Sequence, residues 1–124
     1  MTTAHFDAAF APDGTIALQG LQVQPHTDDT VRCRASLTVD KCALDLESTG
    51  PGTIGAMSEM LYGLGVGVEI VSLYHQQDGD QTAAYLQCTR NGERCWAYGR
   101  AASGEEATVR ALIAAANQLT GRLS

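Results

Sequence analysis

Between positions 31 and 40 the chain alternates without a break. Val31, Cys33, Ala35, Leu37 and Val39 fall on one side, and Arg32, Arg34, Ser36, Thr38 and Asp40 on the other. A period of two predicts a half-buried antiparallel strand. A tight turn at Asp40-Lys41 sets Leu37 opposite Leu44, Ala35 opposite Leu46 and Arg34 opposite Glu47. Apolar then meets apolar and plus meets minus, so the register is self-consistent. A second hairpin, 81–90 with 93–99, folds about Asn91-Gly92, the signature of a type I′ turn. It sets Cys88 opposite Cys95, Gln87 opposite Trp96 and Tyr85 opposite Tyr98. Ala84, Leu86, Cys88, Cys95, Ala97 and Gly99 share one face, small enough for a helix to lie close.

A strand precedes each hairpin. Residues 15–24 change phase at Gly20, with Ile16 and Leu18 before it and Leu21 and Val23 after, which predicts a bulge. Residues 66–75 are apolar on both faces (Val68, Ile70, Val71, Leu73), the pattern of a central strand covered on both sides, and 76–80 reads as a polar turn. A helix follows each hairpin. Gly50-Pro51-Gly52-Thr53 opens the first, which carries Ile54, Met57, Met60, Leu61 and Leu64 at helical spacing and stops at Gly63 and Gly65. Ser103 to Glu106 forms a capping box, and the stripe Val109, Leu112, Ile113, Ala116 and Leu119 carries the second helix to residue 119. The expected fold class is α+β: a βββα unit occurring twice, with antiparallel strands and two helices packed on the small-residue faces. Repeat 1 covers 15–65 and repeat 2 covers 66–120 of a single domain, after an N-terminal arm, 1–14.

At 124 residues there is room for one domain that folds without disulfides or metals. A net charge of −6 excludes the basic footprint that nucleic acid or an anionic membrane requires. No apolar run is long enough to span a bilayer, and residues 1–14 lack the pattern of a signal peptide, so a cytoplasmic protein is expected. The four cysteines lack Cys-x-x-Cys spacing and read as small buried hydrophobes, with Cys88 and Cys95 the one pair placed to meet. His75, Asp78 and Asp80 resemble a metal cluster, but an Asp-Gly loop after a strand reads more simply as a turn. No Ser-His-Asp or Cys-His set and no carboxylate pair stands out, so neither catalysis, a metal nor a cofactor is expected.

Two features bear on binding. Tyr85, Trp96 and Tyr98 share the face that the helices do not need, and an uncovered aromatic patch predicts a homodimer contact, with Met57 and Met60 packing at its edge. The Gly50-Pro51-Gly52 turn opens a helix whose backbone N–H groups can hold a carboxylate or phosphate; a plain strand-to-helix turn accounts for the same glycines.

From residue 46 onward the chain resembles the C-terminal regulatory domain of the 2-isopropylmalate synthase family. The resembling segments are Gly50-Pro51-Gly52 with Ile54-Gly-Ala-Met, Leu64-Gly-Val-Gly-Val-Glu-Ile-Val and Thr82-Ala-Ala-Tyr-Leu-Gln-Cys. Cys95-Trp-Ala-Tyr-Gly and the helix from Ala107 to Asn117 follow in order, and 22–47 fits the first hairpin more loosely. The resemblance implies a duplicated βββα domain that dimerises and binds leucine, or isoleucine in related citramalate synthases, near the dimer interface. It places Gly50, Gly52, Ile54, Ile70, Ser72, Leu73 and Tyr74 in the effector site, with Gly99, Arg100 and Ala101 approaching from the second turn. Ser72-Leu73 stands where the family commonly has Asp-Tyr, the 76–81 loop is shorter, and Arg100 replaces an apolar residue. The family's acetyl-CoA-dependent acyltransferase barrel needs roughly 250 residues. The expectation is therefore an excised domain or a free-standing relative, with a barrel-containing enzyme as a possible partner.

Overall fold

The computed structural model describes residues 16–39 and 42–120. The arm 1–14 and the turn residues Asp40 and Lys41 lie outside them. In chain order the elements are β1 (Ile16–Pro25), β2 (Val31–Val39), β3 (Cys42–Gly50), α1 (Thr53–Gly63), β4 (Glu69–Asp78), β5 (Gln81–Arg90), β6 (Glu93–Ala101) and α2 (Gly104–Thr120). Two antiparallel three-stranded sheets result, ordered β1-β2-β3 (sheet A) and β4-β5-β6 (sheet B), so the α+β class and the twofold βββα unit hold.

Both predicted registers are present: Leu37 pairs with Leu44, Ala35 with Leu46 and Arg34 with Glu47. Cys88 pairs with Cys95, Gln87 with Trp96 and Tyr85 with Tyr98. Positive φ at Asn91 (52°) and Gly92 (83°) gives the right-handed hairpin twist that a type I′ turn supplies. The bulge at Gly20 is also present, as a register shift between Leu18 and Gly20. Its counterpart lies in β4, between Ile70 and Ser72. Each repeat therefore bulges its first strand at the equivalent point.

α1 lies over β2 and β3, while α2 lies over β5 and β6 and reaches across to β1 and α1. α2 is buried on nearly every side, from Ala107 through Leu119, which explains its run of alanines: a helix surrounded by protein cannot afford a polar face. Cys33, Ala35 and Leu37 from sheet A, Met57 and Leu61 from α1, and Leu86 and Cys88 from sheet B join α2 in one core. α2 approaches so closely that a Cβ at Gly99 would stand 2.2 Å from the Ala107 carbonyl oxygen. α1 ends in a Schellman motif: Gly65 adopts φ +81°, its N–H donates to the Tyr62 carbonyl (3.0 Å), and Val66 N–H donates to that of Leu61 (2.9 Å).

Two expectations need correction. The strand predicted at 66–75 runs Glu69–Asp78 and is an edge, not a central strand. Its apolar residues lie open, with Val71, Leu73 and Tyr74 exposed at 47%, 45% and 59%. α2 covers the other two strands of the sheet, so periodicity predicted burial that the described residues do not supply. The placement of Met57 and Met60 at the rim of an interface also fails: at 0% and 6% exposure they pack in the core, because the apolar stripe of α1 faces inward.

Candidate functional site

The expected effector residues fall into two groups. Gly50, Gly52 and Ile54 form the β3–α1 junction, and Gly99, Arg100 and Ala101 end β6 just before α2. These two junctions are equivalent in the two repeats, and the helix starts are tied together. The Thr53 hydroxyl donates to Glu105 Oε2 at 2.6 Å. Ile70, Ser72, Leu73 and Tyr74 belong to β4, across β5 from β6 at the opposite edge of sheet B.

The first helix start is electrostatically engaged from within the chain. Gly52 is the N-cap of α1 and contributes no side-chain hydrogen bond. Glu105 supplies a carboxylate there while sitting in the first turn of α2, beside Glu106, where negative charge offsets the helix dipole. Its field also reaches Cys33: burial first, then Glu105, pushes that thiol up, while the hydrogen bond at Thr53 opposes them. At the start of α2, the Thr108 hydroxyl donates to the Gly104 carbonyl (2.8 Å). Its oxygen is left to accept from His75 Nε2 at 2.7 Å, which fixes the ring's tautomer. The Ser103 oxygen accepts the Glu106 N–H (3.1 Å) as the capping box predicts, and the Glu106 carboxylate reaches forward to Arg110 (3.1 Å).

Arg100 is paired, which removes the cost of burying a lone guanidinium. Its Nη1 lies 2.9 Å from Asp78 and its Nε donates to Gln81 at 2.6 Å, which clasps the open end of sheet B. His75 and Asp78 thus serve separate contacts, and among the described residues no three His, Cys, Asp or Glu side chains converge as metal ligands.

The aromatic face divides. Tyr98 is 4% exposed and Tyr85 half-buried, their rings 5.3 Å apart. Trp96 remains 45% exposed and stacks on Tyr74 at 5.9 Å, joining a ring expected at the effector site to one expected at the dimer contact. Two open clefts lie elsewhere. One of about 340 Å³ sits between Tyr62, Gly67, Glu69 and the β5–β6 turn, and another of about 560 Å³ sits at the β1 bulge beside Arg34, Ser36 and Asp45. Sequence reasoning missed Thr53, Glu105 and Asn117. Asn117 was the most legible of them, as a polar residue inside an apolar stripe. Its side chain accepts from the Ile16 N–H (2.9 Å) and donates to the Ile16 carbonyl (2.7 Å), which anchors β1 to α2.

No protein-family model matches the chain. It is similar to a 2-isopropylmalate synthase of Corynebacterium efficiens, 32% identical over 120 residues. It is also similar to a 2-isopropylmalate synthase of Pseudarthrobacter chlorophenolicus, 28% identical over 109 residues. The aligned regions take in 94% and 85% of this chain but only 20% and 19% of the two synthases, so the chain spans about a fifth of the length of the curated relatives it matches.

Proposed function

We propose that the chain is a non-catalytic regulatory and dimerisation domain of the 2-isopropylmalate synthase type. It senses a branched-chain amino acid such as leucine and serves feedback control of leucine biosynthesis. The observation that carries this reading is the shape of the similarity: nearly all of the chain aligns, and it aligns with about a fifth of each synthase. A segment of that size is too short for a catalytic barrel and sufficient for one appended domain. In this reading Gly50 and Gly52 offer backbone N–H groups to the effector's carboxylate, and Ile54 and Ile70, both half-buried, pack against its side chain. Homodimerisation and engagement of a barrel-bearing enzyme belong to the same reading.

A second reading has specific support. Glu105 already brings a carboxylate to the start of α1, and Leu73 and Tyr74 lie exposed on the edge strand of sheet B. Both observations favour an assembly module of the same fold that no longer binds an effector. Calorimetric titration with leucine, isoleucine, valine and the corresponding 2-oxo acids separates the two. Saturable heat that Ile70→Trp abolishes supports effector sensing. Silence across the panel, from a protein that remains dimeric, supports the assembly module.

A further inference from the structure

The duplication supplies an internal control for reading the surface. Aligned on their bulges, the registers put Arg34, Ser36, Asp45 and Glu47 of sheet A where Tyr85, Gln87, Trp96 and Tyr98 stand in sheet B. The first repeat treats this face as a solvent surface: Ser36 donates to Asp45 at 2.8 Å and Arg34 pairs with Glu47 at 3.0 Å. The second repeat builds aromatic pairs on the same frame. The edge strands diverge likewise. Leu21 of β1 packs against the core, whereas its counterpart Leu73 is 45% exposed, and Gln22 is replaced by Tyr74.

Exposed apolar groups lie on both faces of β4. Leu73 faces the helix side with Leu86, and Tyr74 faces the other side with Tyr85. A helix or a globular surface docked on the sheet would cover one face. A strand added alongside covers both and also satisfies the open backbone edge, which pairs with nothing among the described residues. From Ile70 to Gln77 the strand carries no acidic or basic side chain except His75 and no proline, the devices that normally guard an edge.

We infer that β4 pairs antiparallel with β4 of a second copy, joining the two B sheets into one six-stranded sheet across a dyad at Leu73. This rests on the dimeric regulatory reading above and names its surface. Facing residues of an antiparallel pair point to the same side, so the dyad passes through a residue. With Leu73 on it, Leu73 meets Leu73 of the partner subunit beneath the sheet, and Tyr74 meets Ser72 of the partner subunit above it. The contact is isologous, as a two-fold requires. Two chains of net charge −6 repel overall, and this uncharged strip is where they approach at least electrostatic cost.

Sedimentation equilibrium at micromolar concentration, on wild type and Leu73→Lys, tests the pairing. Wild type sediments as a dimer, and Leu73→Lys weakens it about a hundredfold, the loss of one buried leucine per copy. An unchanged far-ultraviolet circular dichroism spectrum checks that the variant folds. Independently, in a Cys42→Ser background, Leu73→Cys oxidises to a covalent dimer, while Gln22→Cys in β1 does not. A monomeric wild type, a dimer that survives Leu73→Lys, or failure of Leu73→Cys to cross-link overturns the inference. Leucine calorimetry on the wild type keeps the two proposals apart: a wild-type monomer that titrates with leucine refutes the pairing alone, and a wild-type dimer that gives no heat, while Leu73→Cys cross-links, refutes effector sensing alone.

Discussion

Replacing Gly99 by alanine should unfold more of the stability than any surface change, because the added methyl has nowhere to go. Its Cβ would lie 2.2 Å from the Ala107 carbonyl oxygen, 2.4 Å from the Ala111 nitrogen and 2.9 Å from the Arg110 Cβ. Two of these three atoms are helix backbone, which cannot rotate away as a flexible side chain can. α2 must therefore retreat by about 1 Å to restore ordinary contact, and it is packed against β1 and α1 as well as β5 and β6. We expect a loss of about 3 kcal/mol, the upper part of the range for overpacking. With a urea slope of about 1.5 kcal/mol/M for a chain this size, the midpoint falls by about 2 M. Gly63→Ala is the control, since nothing lies within 4 Å of its added Cβ and the residue is helical. It should gain about 0.5 kcal/mol through the unfolded state. A Gly99→Ala midpoint giving less than about 0.5 kcal/mol of destabilisation would refute the close approach of α2 to β6.

Asn117→Ala leaves the buried N–H and carbonyl of Ile16 without their side-chain partner and should cost about 2 kcal/mol, with hydrogen exchange at the Ile16 amide accelerating first. The Glu47 carboxyl is held below its usual range, chiefly by the hydrogen bond from Arg34, so its contribution to stability is present above the unfolded carboxyl pKa and lost as pH falls through the folded value. Carbon-detected NMR titration should show that depressed midpoint, and Arg34→Ala should move it back up. Cys88 behaves oppositely: burial, then Cys95, pushes its thiol up to about 12, so its contribution is complete below the unfolded thiol pKa and is lost as pH rises from there through the folded value. Urea midpoints should fall above about pH 9, less steeply in Cys88→Ala, and a thiol reagent at neutral pH should modify exposed Cys42 while sparing Cys88 until the chain unfolds.

The hairpins were legible because each carries its register twice, once in the turn and once in the pairing of side chains. Asn91-Gly92 and the match of Tyr85 with Tyr98 specify the same alignment, as do the phase of 31–40 and the match of Arg34 with Glu47. Gly20 announced its bulge, whereas the equivalent bulge at Val71 had no glycine to mark it. The edge position of β4 was hidden for a different reason. Alternation reports which side chains are apolar and not what covers them, and Val71, Leu73 and Tyr74 are exposed among the described residues. The tie between the helix starts was unreadable in sequence. Thr53 and Glu105 lie 52 positions apart and meet only because the two repeats fold back on each other. Tyr98, expected on an uncovered face, is 4% exposed, because pairing fixes the face a side chain takes and not its exposure.

The proposed sensing of a branched-chain amino acid at the β3–α1 junction is tested by an amide NMR titration of the full chain with leucine. Binding there gives saturable shifts at Gly52, Thr53, Ile54 and Gly55, whose N–H groups open the helix, together with Ile70. Spectra unchanged up to millimolar leucine, isoleucine and valine, or shifts confined to residues remote from that junction, would contradict it.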